Sequence, residues 1–200
     1  MAGDSGRVKE LRQKTGAGIM DCKQALVESG DDIGKAVDWL RQKGLASAGK
    51  KMGRVTNEGV IASYIHAGNK IGVLVEVNCE TDFVANTDEF RGLAKDVALH
   101  IASAKPRWIS REDVPDDVVE GERKIYGAWA REQGKPEQAL PKIVDGKVTA
   151  FYKDWVLLDQ PFVKEDSKSV GDLVDEVAAK VGEKIAVRRF ARFELGEELD

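Results

Sequence analysis

From Ile71 to Val77 every second residue is apolar, and from Phe90 to Ile101 the apolar residues fall three and four apart. A period of two followed closely by a period of 3.6 describes a strand that hands over to a helix. The stretch between, NCETDFVANTDEF from Asn78 to Phe90, is therefore a junction at which side chains can be displayed. The Thr81 hydroxyl can cap orphan backbone N–H groups, Asp82 then falls in a first turn where negative charge is favoured, and Phe83 projects beside it. Two readings of Phe83 stand. It anchors the helix entry in the core, as most phenylalanines do, or an acid and a ring are held out together on a rigid edge to be pushed into a partner.

The rest of the chain can be arranged around that junction. Upstream, Val60, Ala62 and Tyr64 alternate with Ile61, Ser63 and Ile65, and an AGN turn at Ala67 to Asn69 leads to the next run, predicting a β-hairpin. A third strand is expected at Ile185 to Leu195, after a helix running from about Ser169 to Val181. The stripe Phe90, Leu93, Ala94, Val97, Ala98 and Ile101 would cover one sheet face, and Pro106 ends that helix. Residues 112–159 read as an antiparallel helical hairpin. Val118, Ile125 and Trp129 mark its outgoing arm, Gly134 to Pro136 the turn, and Leu140, Ile143, Val144, Val148, Phe151 and Trp155 the returning arm.

Residues 1–45 show three short helical patterns, opened at Asp4 or Ser5, separated by the TGAG run at Thr15 to Gly18 and by Gly30, and closed at Gly44. Their stripes, Val8 with Leu11, then Cys22, Ala25 and Leu26, then Ile33, Ala36, Val37 and Leu40, close only a very small core, which suits a tethered docking module. Residues 46–57, with Lys50, Lys51 and Arg54 and no acid, read as a basic linker, and residues 58–200 as the core proper. The fold class expected is α+β.

Composition narrows the function. Two hundred residues can bury a real core, and 42% hydrophobic with 33% charged residues describes a globular chain. No apolar run approaches a membrane span and MAGDSGRVKE lacks the pattern of a secretory signal, so no membrane is expected and the cytoplasm is the expected address. Cys22 and Cys79 form no CxxC pair and only two histidines exist, so neither metal nor cofactor is expected. There is no GxxxxGK[ST] loop, strand-linked GxGxxG, HExxH or GxSxG, and no paired acid and base, so no catalytic residue is assigned and no enzyme is expected. Glu80, Asp82 and Asp88 could form an acid cluster, but an acidic helix entrance explains them equally well. A net charge of -4 argues against direct nucleic-acid binding.

Several longer motifs carry a resemblance: VKELRQKTGAGIMDCKQAL, EVNCETDFVANTDEF, LHIASAKP, DQPFV and VRRFARFELGE, spread over nearly the whole chain. Together they closely resemble the bacterial elongation factor Ts family, the nucleotide exchange factors of elongation factor Tu. The resemblance implies an N-terminal ubiquitin-associated-like three-helix module, an α+β core of small antiparallel sheet and helices, and a protruding helical hairpin. The chain is similar to the compact members, with one core unit where longer members carry two, and those act as homodimers.

In that family the Asp-Phe pair, here Asp82 and Phe83 flanked by Thr81 and Val84, inserts between helices of the partner's nucleotide domain and disturbs its Mg²⁺ and phosphate site. The resemblance further implies docking through Arg12, Ile19 and Met20, with Lys23 and Lys51 near the partner. Ile19 stands where methionine is common in relatives. Ile71, Gly72 and His100 match places where the second repeat of longer members touches the partner. The implied partner is elongation factor Tu, GDP-bound and nucleotide-free. Two other classes remain open: a ribosome- or RNA-associated binding protein using the basic linker with Arg188, Arg189 and Arg192, and a hydrolase or transferase with an unfamiliar site.

Overall fold

The structure, a computed structural model, describes residues 5–15, 17, 19–51 and 54–198, the side chains of 44–51 excepted. Helices α1 (Ser5–Thr15), α2 (Ile19–Glu28) and α3 (Ile33–Lys51) come first, then strands β1 (Glu58–Ile65) and β2 (Ile71–Cys79). A short α4 (Asp82–Ala85) precedes α5 (Asp88–Ala104), and the helical hairpin is α6 (Asp116–Glu132) with α7 (Leu140–Trp155). Strands β3 (Pro161–Phe162) and β4 (Glu165–Ser169), helix α8 (Val170–Val181) and strand β5 (Ala186–Glu194) complete the order. The main sheet is small and antiparallel, ordered β1-β2-β5, so the expected carboxyl-terminal strand is present and pairs with β2 of the early hairpin. The fold is α+β.

The chain divides into two units. One gathers the residues up to Val60 with Val77–Leu93 and Val174–Ala186. Within it, Leu11, Cys22, Ala25, Leu26 and Ala36 form the buried centre of the three-helix module, with Val8, Ile33, Val37 and Leu40 packed around them. These are the stripes the spacing predicts. The left-handed Gly30 (φ 63°) ends α2, and Asp32 Oδ1 accepts the Lys35 N–H at 3.0 Å to open α3. The expected cap Asp4 and the glycines Gly16 and Gly18 lie outside the described residues.

One boundary differs. Helix α3 does not stop at Gly44 but runs to Lys51. A glycine inside a helix costs only about 1 kcal/mol against alanine, and the good helix formers Leu45, Ala46, Ala48, Lys50 and Lys51 follow it. In the same unit Gly59 (φ 150°) sits where an added Cβ would lie 2.2 Å from the Val77 carbonyl oxygen, so the first residues of β1 approach β2 as only glycine allows.

The other unit gathers Ile61–Glu76, Ala94–Leu173 and the chain from Val187. Its hairpin turns through Gly68 (φ 90°) and Asn69 (φ 57°), and the His66 N–H donates to the Ile71 carbonyl at 2.9 Å. Two successive positive φ values give the twist a two-strand turn needs. Val114, Phe151 and Val156 form a buried cluster with Trp108, Val118, Val119, Tyr126 and Tyr152 against it. The inner stripe of α6 is only partly the one expected: Val118 packs inward as its spacing predicts. Ala130 is buried and Tyr126 packs inward, whereas Ile125 and Trp129 are exposed and the Lys147 ammonium covers the Trp129 ring at 4.6 Å. One step along a helix turns a side chain by about 100°, so the partner helix selects between neighbouring stripes.

Candidate partner-binding site

The junction folds as its local chemistry requires. Thr81 is extended (φ -131°, ψ 155°), and its Oγ1 accepts the Val84 N–H at 3.4 Å, a long N-cap bond. Asp82 then stands in the first turn of α4. Val84 and Ala85 point inward, and Phe83 points outward with 83% of its surface exposed. Leaving a phenylalanine exposed forgoes about 1.5–3 kcal/mol of burial. The ring therefore does not anchor the core and is displayed at the surface. Val84, expected among the partner-facing residues, is a buried side chain because its place on α4 turns it under the corner.

What stiffens the corner comes from far along the chain. The Glu183 carboxylate accepts the Glu80 N–H at 3.1 Å and the Thr81 N–H at 3.0 Å through Oε2, and the Thr81 hydroxyl at 2.6 Å through Oε1. In return the Glu80 carboxylate accepts the Lys184 N–H at 2.6 Å and lies 3.2 Å from the Arg54 guanidinium. The Lys184 ammonium donates to the Arg54 carbonyl at 3.2 Å. Hydrogen bonds onto carboxylates contribute about 1.5–3 kcal/mol when sheltered and less where water competes. Cys79, buried beneath, donates its thiol to the Thr81 carbonyl, and burial, reinforced by the Glu183 charge, pushes its pKa up, so it is packing rather than a nucleophile. Downstream, Thr87 Oγ1 accepts the Phe90 N–H at 3.3 Å and opens α5.

A second exposed surface lies on the three-helix module. Arg12, Ile19, Met20 and Lys23 all face outward, with Met20 73% exposed, and Val27 extends the same side of α2 one turn further. Lys51 belongs to α3, but its side chain lies outside the described residues. Ile71 and Gly72 are half-buried at the start of β2, beyond the hairpin turn.

His100, matched through the resemblance to a partner-touching place, is buried. It is 1% exposed, so as folded it is an internal residue and not a contact surface. Its Nδ1 accepts the Val163 N–H at 3.2 Å, which leaves the proton on Nε2 to donate to Gln160 Oε1 at 3.0 Å. The Gln160 amide in turn donates to the carbonyls of Ala104 and Asp154. Helical spacing alone places His100 beside the apolar stripe and cannot say that this side is covered. Glu183 escaped the sequence reading altogether, since its partners lie more than a hundred residues away and no local pattern marks it.

The chain is α+β, and its most exposed aromatic, Phe83, stands beside an acid on a hydrogen-bonded corner. The model of the family described as Elongation factor TS matches residues 32–197. The elongation factor Ts of Desulforamulus reducens is 56% identical over 193 residues, covering 96% of this chain and 89% of that protein. That of a Thermoanaerobacter species is 56% identical, covering 96% and 95%, and that of an Anaeromyxobacter species 58% identical, covering 98% and 90%. The chain belongs to the elongation factor Ts family, a family of translation elongation.

Proposed function

We propose that this chain is a non-enzymatic guanine nucleotide exchange factor for elongation factor Tu. The observation that carries the reading is the exposed Phe83 ring beside Asp82 on a corner fastened through Thr81 and Glu80. A factor that binds the nucleotide-free GTPase more tightly than the loaded one must, by linkage, lower nucleotide affinity by the same ratio. Asp82 and Phe83 supply the wedge at the partner's Mg²⁺ and phosphate site, and Arg12, Ile19, Met20 and Lys23 supply the grip. No bond is made or broken. Lys51, Ile71 and Gly72 are further contact positions in this reading, whereas His100 acts from inside the fold.

The RNA-binding alternative is less favoured by the arginines it would use. The guanidinium of Arg189 lies 2.7 Å from the Glu76 carboxylate and that of Arg188 lies 3.6 Å from it, and Arg192, its side chain 7% exposed, lies between Glu194 and Glu197. These pairings lessen the positive charge the strand presents to a phosphate backbone. The reading includes a homodimer, supported by the exposed apolar residues Ile61, Ile65, Leu74 and Phe193 of the sheet strands, and a cytoplasmic site of action. Among the described residues no helix is long and apolar enough to cross a membrane. The test is release of fluorescent GDP from elongation factor Tu: the chain should accelerate release in proportion to its concentration and hydrolyse nothing, and failure to accelerate ends the reading.

A further inference from the structure

We propose that Glu183 is the positioning residue of the exchange corner, fixing the direction in which Asp82 and Phe83 are presented; this rests on the exchange reading above. Helix α4 has four residues, too few to hold its own geometry, and the Phe83 ring is too exposed to be steered by packing. Burial of Val84 and Ala85 anchors the inner side of α4, and the direction of the exposed pair is then set at the N-cap. One carboxylate holds that cap three times over, taking the N–H groups of Glu80 and Thr81 and the Thr81 hydroxyl. Because that hydroxyl donates to Glu183, its lone pairs are left to receive the Val84 N–H, which orients the cap.

The contact is also reciprocal. Glu80 accepts the Lys184 N–H while Glu183 accepts the Glu80 N–H, so the corner and the segment after α8 cannot slide past one another without breaking both. Glu183 is half-buried, and water could satisfy the freed amides if it were removed. The carboxylate therefore contributes aim more than stability, which separates it from an ordinary core contact.

The experiment compares the parent with Glu183→Ala, Glu183→Gln, Phe83→Ala and the Glu183→Ala/Phe83→Ala double variant in GDP release from elongation factor Tu. Maximal rate and half-saturating concentration are read separately, with near-ultraviolet circular dichroism verifying the fold. Glu183→Ala should lower the maximal rate by about tenfold or more, with the half-saturating concentration moving less than about threefold, since misaim weakens the wedge and not the grip. Glu183→Gln keeps an acceptor oxygen for the two amides and should recover most of the rate. The double variant should be no slower than Phe83→Ala, because Glu183 acts through that ring.

Hydrogen exchange at the Glu80 and Thr81 amides gives a readout independent of the GTPase: it should accelerate in Glu183→Ala and stay unchanged in Phe83→Ala. Should Glu183→Ala fail to fold, Glu183→Asp replaces it, since the shortened carboxylate cannot reach all three donors and the same loss is expected. A folded variant with the parent's rate, multiplicative losses in the double variant, or unchanged amide exchange each overturns the proposal. If the parent itself releases no GDP, the exchange reading has failed, and amide exchange alone then decides whether Glu183 holds the corner.

Discussion

Nε2 of His100 lies 3.0 Å from Oε1 of Gln160, and the two close a buried network in which the imidazole must stay neutral to accept from Val163. Burial pulls the His100 pKa below its ordinary 6.5, against a smaller opposing effect of the Gln160 bond. The unfolded chain therefore binds a proton that the folded chain refuses. The contribution of neutral His100 is fully present above about pH 6.5 and is lost as pH falls through that value toward the lower folded pKa. Urea midpoints measured across that range should fall for the parent and fall less steeply for His100→Gln; equal slopes would exclude His100 as the source.

Adjacent residues at the corner should behave oppositely. Phe83→Ala removes an exposed ring and should change stability by less than about 0.5 kcal/mol while sharply reducing GDP release from elongation factor Tu. Val84→Ala removes methyls from a buried site and should cost about 1–3 kcal/mol. Thermal denaturation beside the exchange assay separates the two, and a Phe83→Ala variant that loses stability but not exchange would restore the core reading.

The docking module admits a similar contrast. Met20→Asp alters an exposed side chain and should leave the melting temperature unchanged while raising the half-saturating concentration in the exchange assay several-fold. Leu26→Ala empties the module's buried centre and should cost about 2–5 kcal/mol of its local stability. Binding of Met20→Asp at the parent's affinity would remove this face from the grip.

Gly59→Ala should be among the most disruptive single changes in the sheet. The new Cβ would meet the Val77 carbonyl at 2.2 Å, and alanine disfavours the φ of 150°. About 1–3 kcal/mol of backbone strain is expected before the clash is counted. Urea denaturation measures it, and a neutral result would mean that β1 can shift away from β2.

Phe193→Glu tests the homodimer. Phe193 is exposed on β5, and a charge there should move the sedimentation profile toward monomer without altering circular dichroism. An unchanged profile would show that this strand is not the contact.

Much of the fold is legible in short-range pattern. The alternation from Ile71 to Val77, the helical stripe from Phe90 to Ile101 and the threonine cap before α4 each depend on residues within a few positions, where backbone geometry dictates which side chains share a face. The glycine at position 44 shows the weakness of that logic at boundaries, since a modest local preference yields to the good helix formers that follow it.

Which face is covered is another matter. Ile125 and Trp129 have the apolar character of a core stripe yet stay outside the buried core, Ile125 in solvent and Trp129 part-exposed beneath the Lys147 ammonium of α7. The spacing of His100 puts it beside the apolar stripe without saying whether it is covered, and Gln160 and Phe162 lie against it in the fold. Sequence alone determined that a threonine, an acid and a ring would sit at the turn from strand to helix. Only the tertiary structure decided that the ring points outward and that Glu183 bonds to the threonine cap beside it, because hydrogen bonds between residues a hundred positions apart leave no trace in local periodicity.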